Sequence, residues 1–248
     1  PAPGDWAYIK FENDSTSATF DGNGDYASGS ILEHCIAEYG GGVGDASDVA
    51  TILTESSPFI NNCTIRHSMA HGVRMTPHVE FKFTNNTLDS NTLNGFLVNA
   101  TSSNSTLMYD PITVSGNTAT NNGSWGIYLD PSNNLGTATS YITNNTVSNN
   151  GSGLKAHTGA ATVSQNNVSD NGGKSFDVDA NSGQLTFTQN NAIGNGGNVR
   201  VFVGLAGTTI TDNLMKGNGA GLELIIGNIS NCPPDCPGTV TVSSNKII

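Results

Sequence analysis

Between residues 128 and 223 the chain gathers the side chains best suited to chemistry: Tyr128, Asp130, Lys155, His157, Asp177, Asp179, Arg200 and Glu223, with Arg74 further upstream. Lys155 and His157 are two apart, as are Asp177 and Asp179, and that spacing places both members of each pair on one face of a β-strand. An imidazole between carboxylates could act as a general acid or base, since such neighbours raise its pKa and orient the ring. Asp130, Asp177 and Asp179 could instead hold a hard cation such as Ca2+, the one cofactor the residues suggest. A uronate lyase or epimerase would use Lys155 or His157 as base and Arg200, Arg74 or bound Ca2+ to neutralise the substrate carboxylate.

The elements that must position these groups emerge from a repeat. The frame apolar, any, any, Asn, any, apolar reads FTNNTL (83–88), VSGNTA (114–119), ITNNTV (142–147), VSQNNV (163–168), FTQNNA (187–192), ITDNLM (210–215) and VSSNKI (242–247). LEHCIA (32–37) and INNCTI (60–65) fit the same frame with Cys in place of Asn. A second pattern, Gly-apolar-any-apolar, precedes most copies: GVRM (72–75), GFLV (95–98), GIYL (126–129), GLKA (153–156) and GLEL (221–224), with SFDV (175–178) and NVRV (198–201) as variants. YIKF (8–11) starts the series, and VATILTE (49–55) has an ambiguous register.

Each unit therefore reads as three short strands of period two joined by polar turns, too short to bury an apolar face except by stacking on its neighbours. The fixed Asn is expected at a sharp bend, occupying the left-handed backbone region itself, with an inward amide bonded to the coils above and below. Cys35 and Cys63 stack at the same station. The strand spacing admits a disulfide, but side chains pointing the same way often fail its geometry, so buried thiols are favoured over a disulfide.

This pattern resembles the right-handed parallel β-helix proteins of the pectin-lyase-like superfamily, and the resemblance runs the length of the chain. It implies an all-β fold: a single-stranded right-handed parallel β-helix, or solenoid, of about nine coils with an internal Asn ladder. One such domain would fill residues 1–248 and be part of a longer chain, whose neighbouring domains cover the ends. The superfamily spans lyases, hydrolases, epimerases and non-catalytic surface proteins, so it implies a carbohydrate polymer as partner without fixing a reaction. The paired-Asp, His-Gly and Arg-x-Lys signatures of polygalacturonase-like hydrolases are absent, as is a pectate-lyase-like Arg constellation.

In the family, substrate lies along the strand written here as Gly-apolar-any-apolar. Its outward positions form one column of Lys10, Arg74, Leu97, Tyr128, Lys155, Asp177, Arg200 and Glu223, and a second of Thr76, Asn99, Asp130, His157, Asp179, Phe202 and Ile225. Asp130, Lys155, His157, Asp177 and Asp179 are the candidate catalytic residues; Arg74, Tyr128, Arg200 and Glu223 are the candidate substrate contacts. Asp130 and Asp179, two coils apart, would stand roughly 9–10 Å from each other at the backbone, near the upper end of the inverting-glycosidase separation. The competing reading is a solvated charge ladder, in which Lys155, Asp177, Arg200 and Glu223 alternate in sign, each pair contributing about 0–1 kcal/mol. On that reading the chain is a non-catalytic structural or adhesion module.

Composition narrows the setting. Nine Lys and Arg against 20 Asp and Glu give a net charge of −11 with no basic stripe, which argues against nucleic acid and against a polyanionic substrate unless a cation mediates. No apolar run is long enough for membrane insertion. Ten Asn-x-Ser/Thr sequons, Asn122, Asn150 and Asn167 among them, favour an extracellular or cell-surface protein. Cys232 and Cys236 could close a local disulfide in a Pro-rich loop. His67, His71 and His78 have partly metal-like spacing, but in a turn and strand rather than on a helix, which argues against a metal there. Trp125 either offers a sugar-stacking surface or covers the core.

Overall fold

The computed structural model describes residues 1–42, 49–77, 79–99, 111–131, 139–180, 183–204, 207–227 and 240–248. Among these there are strands and no helix, hence no helix long and apolar enough to cross a membrane. The loop holding Cys232 and Cys236, His78, and most of the insertions after Asn99 and Asp130 lie outside the described residues.

The strands form a parallel β-solenoid. A representative coil runs Ser152–Thr158, Ala160–Ser164 and Asn167–Ser169, one strand in each of three sheets. Each sheet has nine strands in chain order, so every strand pairs with its counterpart one coil away, in parallel. Among the described residues, seven coils have neighbours on both sides, and a less buried coil flanks them at either end. An antiparallel hairpin, Thr19–Phe20 with Tyr26–Ser28, interrupts the first coil. The ambiguous segment is the strand Ala50–Thr54, with Ile52 inward and Leu53 in the first outward column beside Lys10 and Arg74. The interior is a continuous apolar column in which Phe83 stacks on Phe96 at 4.0 Å and Phe176 meets Phe187 edge-on at 5.3 Å.

The predicted ladder is present at the bend between the second and third sheets. The Asn145 Oδ1 accepts the backbone N–H and Nδ2 of Asn117, both at 3.0 Å. Its own backbone N–H and Nδ2 donate to Asn166 Oδ1 at 3.0 and 2.9 Å, and Nδ2 also donates to the Val114 carbonyl at 3.0 Å. The pattern repeats at Asn86, Asn117, Asn166, Asn190 and Asn213 and ends at Asn245. Buried amides thus satisfy one another in a chain with one direction, each donating toward the C-terminal end.

The structure corrects the backbone half of that expectation. The ladder Asn is not the left-handed residue; the residue before it is. Among the described residues every non-glycine positive φ precedes such a bend: His34, Asn62, Asn85, Asn144, Gln165, Gln189, Asp212 and Ser244 at this station, Tyr39, His67, Ser90, Asn121, Asn149 and Asp170 at another. The bend divides two tasks between neighbours, one residue turning the chain and the next filling the interior with an amide.

That other station holds a second ladder, at the bend between the third and first sheets. Asn91, Asn122, Asn150, Asn171, Asn195 and Asn218 are joined as in the first, for example Asn122 Nδ2 to Asn150 Oδ1 at 2.8 Å. It explains the strand-leading glycines: a Cβ at Gly126 would run into Val147 and the Asn150 amide. It also removes Asn122 and Asn150 as glycosylation acceptors, since both are buried.

Candidate functional site

The predicted columns exist. Register pairs Leu97 with Tyr128, Tyr128 with Lys155, Lys155 with Asp177, Asp177 with Arg200 and Arg200 with Glu223. In the second column Asn99 pairs with Asp130, His157 with Asp179 and Asp179 with Phe202. The two longest described strands, Trp125–Asp130 and Ser152–Thr158, carry Asp130 and His157. Their extra length extends the outward face where the reactive groups concentrate.

Within this face Lys155 Nζ reaches Asp130 Oδ2 at 2.7 Å and the Tyr128 hydroxyl at 2.9 Å, and lies 4.3 Å from the Tyr128 ring centre. Burial works to lower the Lys155 pKa, yet its bonds to Asp130 and Tyr128 outweigh it and raise the value. Asp177 is buried despite its outward position. Its Oδ2 accepts Lys174 Nζ at 2.9 Å and its Oδ1 accepts Arg200 Nη1 at 2.8 Å. Burial pushes its pKa up, but the facing His157, Lys174 and Arg200 hold it well below the usual carboxylate range.

His157 stands between the two aspartates, its Nδ1 3.8 Å from Asp130 Oδ2 and its Nε2 3.6 Å from Asp177 Oδ1. Both gaps are too long for a hydrogen bond. Asp179 lies beside it, and burial raises its carboxyl pKa, helped by Asp177 and Asp130 and opposed by His157 and Arg200. His157 Nε2 and Asp179 Oδ1 are buried polar atoms without a hydrogen-bond partner. In a network otherwise closed by short ion pairs, these two atoms alone are left without a partner, which marks them as the candidates for proton chemistry.

The structure thus brings together Tyr128, Asp130, Lys155, His157, Asp177, Asp179 and Arg200. It leaves Arg74 apart, with Leu97 between it and Tyr128 in the column. Glu223 lies one strand beyond Arg200 and accepts Asn198 Nδ2 at 2.7 Å. The alternating charge ladder is only partly realised: Arg200 takes Asp177, but Lys155 turns to Asp130 because Lys174 already occupies the other Asp177 oxygen. Lys174 is the residue sequence reasoning missed, lying in a turn outside both columns. Trp125 meets Tyr128 edge-on at 6.1 Å, extending the aromatic border of the site. Asp130, Asp177 and Asp179 do not converge as Ca2+ ligands; among the described residues no three His, Cys, Asp or Glu gather to hold a metal.

Cys35 and Cys63 carry free thiols, as expected, with Cys63 buried and Cys35 partly so. No curated protein and no solved structure matches the chain significantly. The profile of a family described as "Periplasmic copper-binding protein (NosD)" matches residues 11–204, well over half of the chain. That family is periplasmic, which agrees with placement outside the cytoplasm at a coarse level. With a parallel solenoid built on the repeat that the sequence announces, and this match along most of it, the chain belongs to the NosD family of right-handed β-helices.

Proposed function

We propose that the first-sheet face around Asp130, Lys155, His157, Asp177, Asp179 and Arg200 binds a carbohydrate polymer outside the cytoplasm and acts on it by acid–base chemistry. The observation that carries this reading is the pair of unsatisfied buried atoms, His157 Nε2 and Asp179 Oδ1, on register-paired residues of adjacent coils in an otherwise saturated network. Asp179, its pKa raised, is the proton donor, and the His157 imidazole is the acceptor. One donor and one acceptor are the minimum shared by hydrolysis, β-elimination and epimerisation. Tyr128 and Trp125 supply apolar ring faces for a sugar, while Lys155 and Arg200, held by Asp130 and Asp177, keep the surroundings fixed.

The test is a panel of neutral and uronic-acid polysaccharides, read by affinity electrophoresis for binding and by reducing ends and unsaturated products for cleavage. Asp179→Asn and His157→Ala should each lower turnover by about 10²–10⁴-fold and leave binding in place. Turnover equal to the native chain in both variants refutes the acid–base assignment. Binding without turnover in the native chain would make it a non-catalytic adhesion or structural module.

The family description brings copper to this chain as a second reading, and the donor set decides which oxidation state fits. Copper(II) asks for several nitrogen and oxygen ligands. Among the described residues no three His, Cys, Asp or Glu gather to supply them, and two of the four described histidines are engaged elsewhere: His71 Nδ1 accepts the Asn94 N–H at 3.2 Å, and His67 stacks on Tyr39 at 5.1 Å. Copper(I), a soft ion that selects thiolates, fits the pair Cys35 and Cys63.

A further inference from the structure

The first Asn ladder does not begin with Asn. At its N-terminal end the station is filled by Cys63 and, one coil earlier, Cys35. The backbone there is unchanged: the residue before each has positive φ, and the Cys63 N–H donates to Asn86 Oδ1 at 2.9 Å like any ladder member. What is lost is the amide. Cys63 Sγ has long contacts to the Asn61 and Leu32 carbonyls, at 3.3 and 3.4 Å, and neighbours the Cys35 side chain, while Cys35 Sγ approaches the Glu33 carbonyl at 3.1 Å. Two sulfurs thus replace two groups that would have hydrogen-bonded better, a substitution the scaffold does not need.

Their separation follows from the register. Glu33 pairs with Asn61 and Ile36 with Thr64, so Cys35 stands opposite Cys63, about 4.8 Å away at the backbone. Both side chains turn toward the core, Cys63 within it and Cys35 packed against its end. A disulfide would require the sulfurs to close to about 2.05 Å, against the parallel direction of the two side chains. A linear thiolate–metal–thiolate unit spans about 4.6 Å, twice a metal–sulfur bond of about 2.3 Å, and so fits the strand spacing without moving either coil. Cys35, the less buried of the two, is the side from which a metal would enter.

We propose that Cys35 and Cys63 form a two-coordinate thiolate site for copper(I) at the N-terminal end of the ladder, a placement that rests on the copper reading above. Binding replaces two S–H protons, released to solvent, with one Cu+; no electron is transferred. Because the deprotonated sulfurs are the ligands, retention strengthens as pH rises.

The experiment titrates the reduced full chain with copper(I) under anaerobic conditions, against a chromophoric copper(I) chelator, and reads the sulfur shell by X-ray absorption. One copper(I) per chain with two sulfur neighbours is expected. Cys35→Ser should weaken retention at least 100-fold, and Cys63→Asn likewise. The Asn variant restores a ladder amide, so circular dichroism should show it folded, separating loss of ligand from loss of fold. The Cys232→Ser/Cys236→Ser double variant should hold copper as the native chain does. Copper held undiminished by Cys35→Ser and Cys63→Asn overturns this site and leaves the copper reading standing. No copper held by the native chain removes both. A Cys35–Cys63 disulfide in peptide maps of the native protein also overturns the site.

Discussion

Replacing Asn145 by Ala is the sharpest test of how this fold is held together. Asn145 is buried, at 1% exposure, in the middle of the first ladder. Its side chain accepts two bonds from Asn117 and donates to Val114 and Asn166. Removing it strands the Asn117 N–H and one Asn117 amide hydrogen and takes the amide bond from the Val114 carbonyl, while Asn166 Oδ1 keeps the bond from the residue 145 backbone. At about 1–3 kcal/mol for each stranded buried group, with some relief by relaxation, the loss should be about 3–5 kcal/mol. Asn145→Asp keeps an acceptor but loses both donations and faces the Val114 carbonyl and Asn166 Oδ1 with a carboxylate. It should be at least as damaging at pH 7 and recover as pH falls and the carboxyl takes up a proton.

The control is Asn167→Thr, an exposed position in the next coil whose register partner is Thr146, expected within about 0.5 kcal/mol of the native chain. Urea unfolding followed by circular dichroism gives the three values. Hydrogen exchange of the neighbouring coils shows whether the loss stays local, as nearest-neighbour coupling in a solenoid requires. An Asn145→Ala cost no larger than that of Asn167→Thr would refute the ladder as a source of stability and leave the apolar column to account for it.

Three further expectations follow from other parts of the molecule. Asp177 and Asp179 should shift stability in opposite directions with pH. The depressed Asp177 pKa contributes stability present above the unfolded value of about 3.9 and lost as pH falls toward the folded value, so Asp177→Asn destabilises at pH 7 and converges on the native chain in acid. The raised Asp179 pKa gives stability present below the unfolded value and lost as pH rises through the folded one, so Asp179→Asn stabilises at pH 7; urea midpoints from pH 3 to 8 check both signs. Asn85→Gly and Asn144→Gly, at exposed left-handed positions, should be neutral or stabilise by up to about 1 kcal/mol, whereas Gly126→Ala should destabilise by about 1–3 kcal/mol through its clash with Val147 and Asn150. In a glycosylating host the exposed sequons Asn144 and Asn167 can carry glycan on the folded chain and the buried Asn122 and Asn150 cannot; glycopeptide mass spectrometry of folded protein distinguishes them.

What could be read from the sequence depended on whether a residue stood in a fixed frame. Asn145 and its counterparts were legible because apolar residues three before and two after mark their place, and the outward columns because strand alternation is strict. The second ladder was hidden in turns already crowded with Asn, Ser and Gly, where Asn150 looks no different from Asn149. Its signal was the constant distance of five residues from the first ladder, as in Asn145 to Asn150 and Asn166 to Asn171. The left-handed role was assigned to the wrong neighbour for a related reason. Asn tolerates that region, but the residue before the ladder varies among Asn, Gln, Asp, Ser and Gly, which marks a permissive backbone position, whereas the next is held to one amide. Ion pairing was the least legible, because it depends on which partner is already taken: Lys174, from a turn, decides that Lys155 binds Asp130.

The two ladders also bear on why chemistry can gather on this face. They satisfy the polar groups at two of the three bends and set neighbouring coils in register, so the interior places no demand on the outward residues of the first sheet. Those residues then stand at multiples of the strand spacing, and a change in one coil alters one side chain without moving the rest. Asp179 is held in this way: its strand Phe176–Ala180 follows the Asn171 bend and precedes the Asn190 and Asn195 bends. A raised carboxyl pKa requires a group kept from solvent and from hydrogen-bond donors, which a mobile side chain would not be. Asn171→Ala, which touches no residue of the cluster, should therefore lower turnover through loss of order in Phe176–Ala180. If turnover holds while hydrogen exchange there accelerates, the acid–base pair does not depend on the rigidity assigned to it.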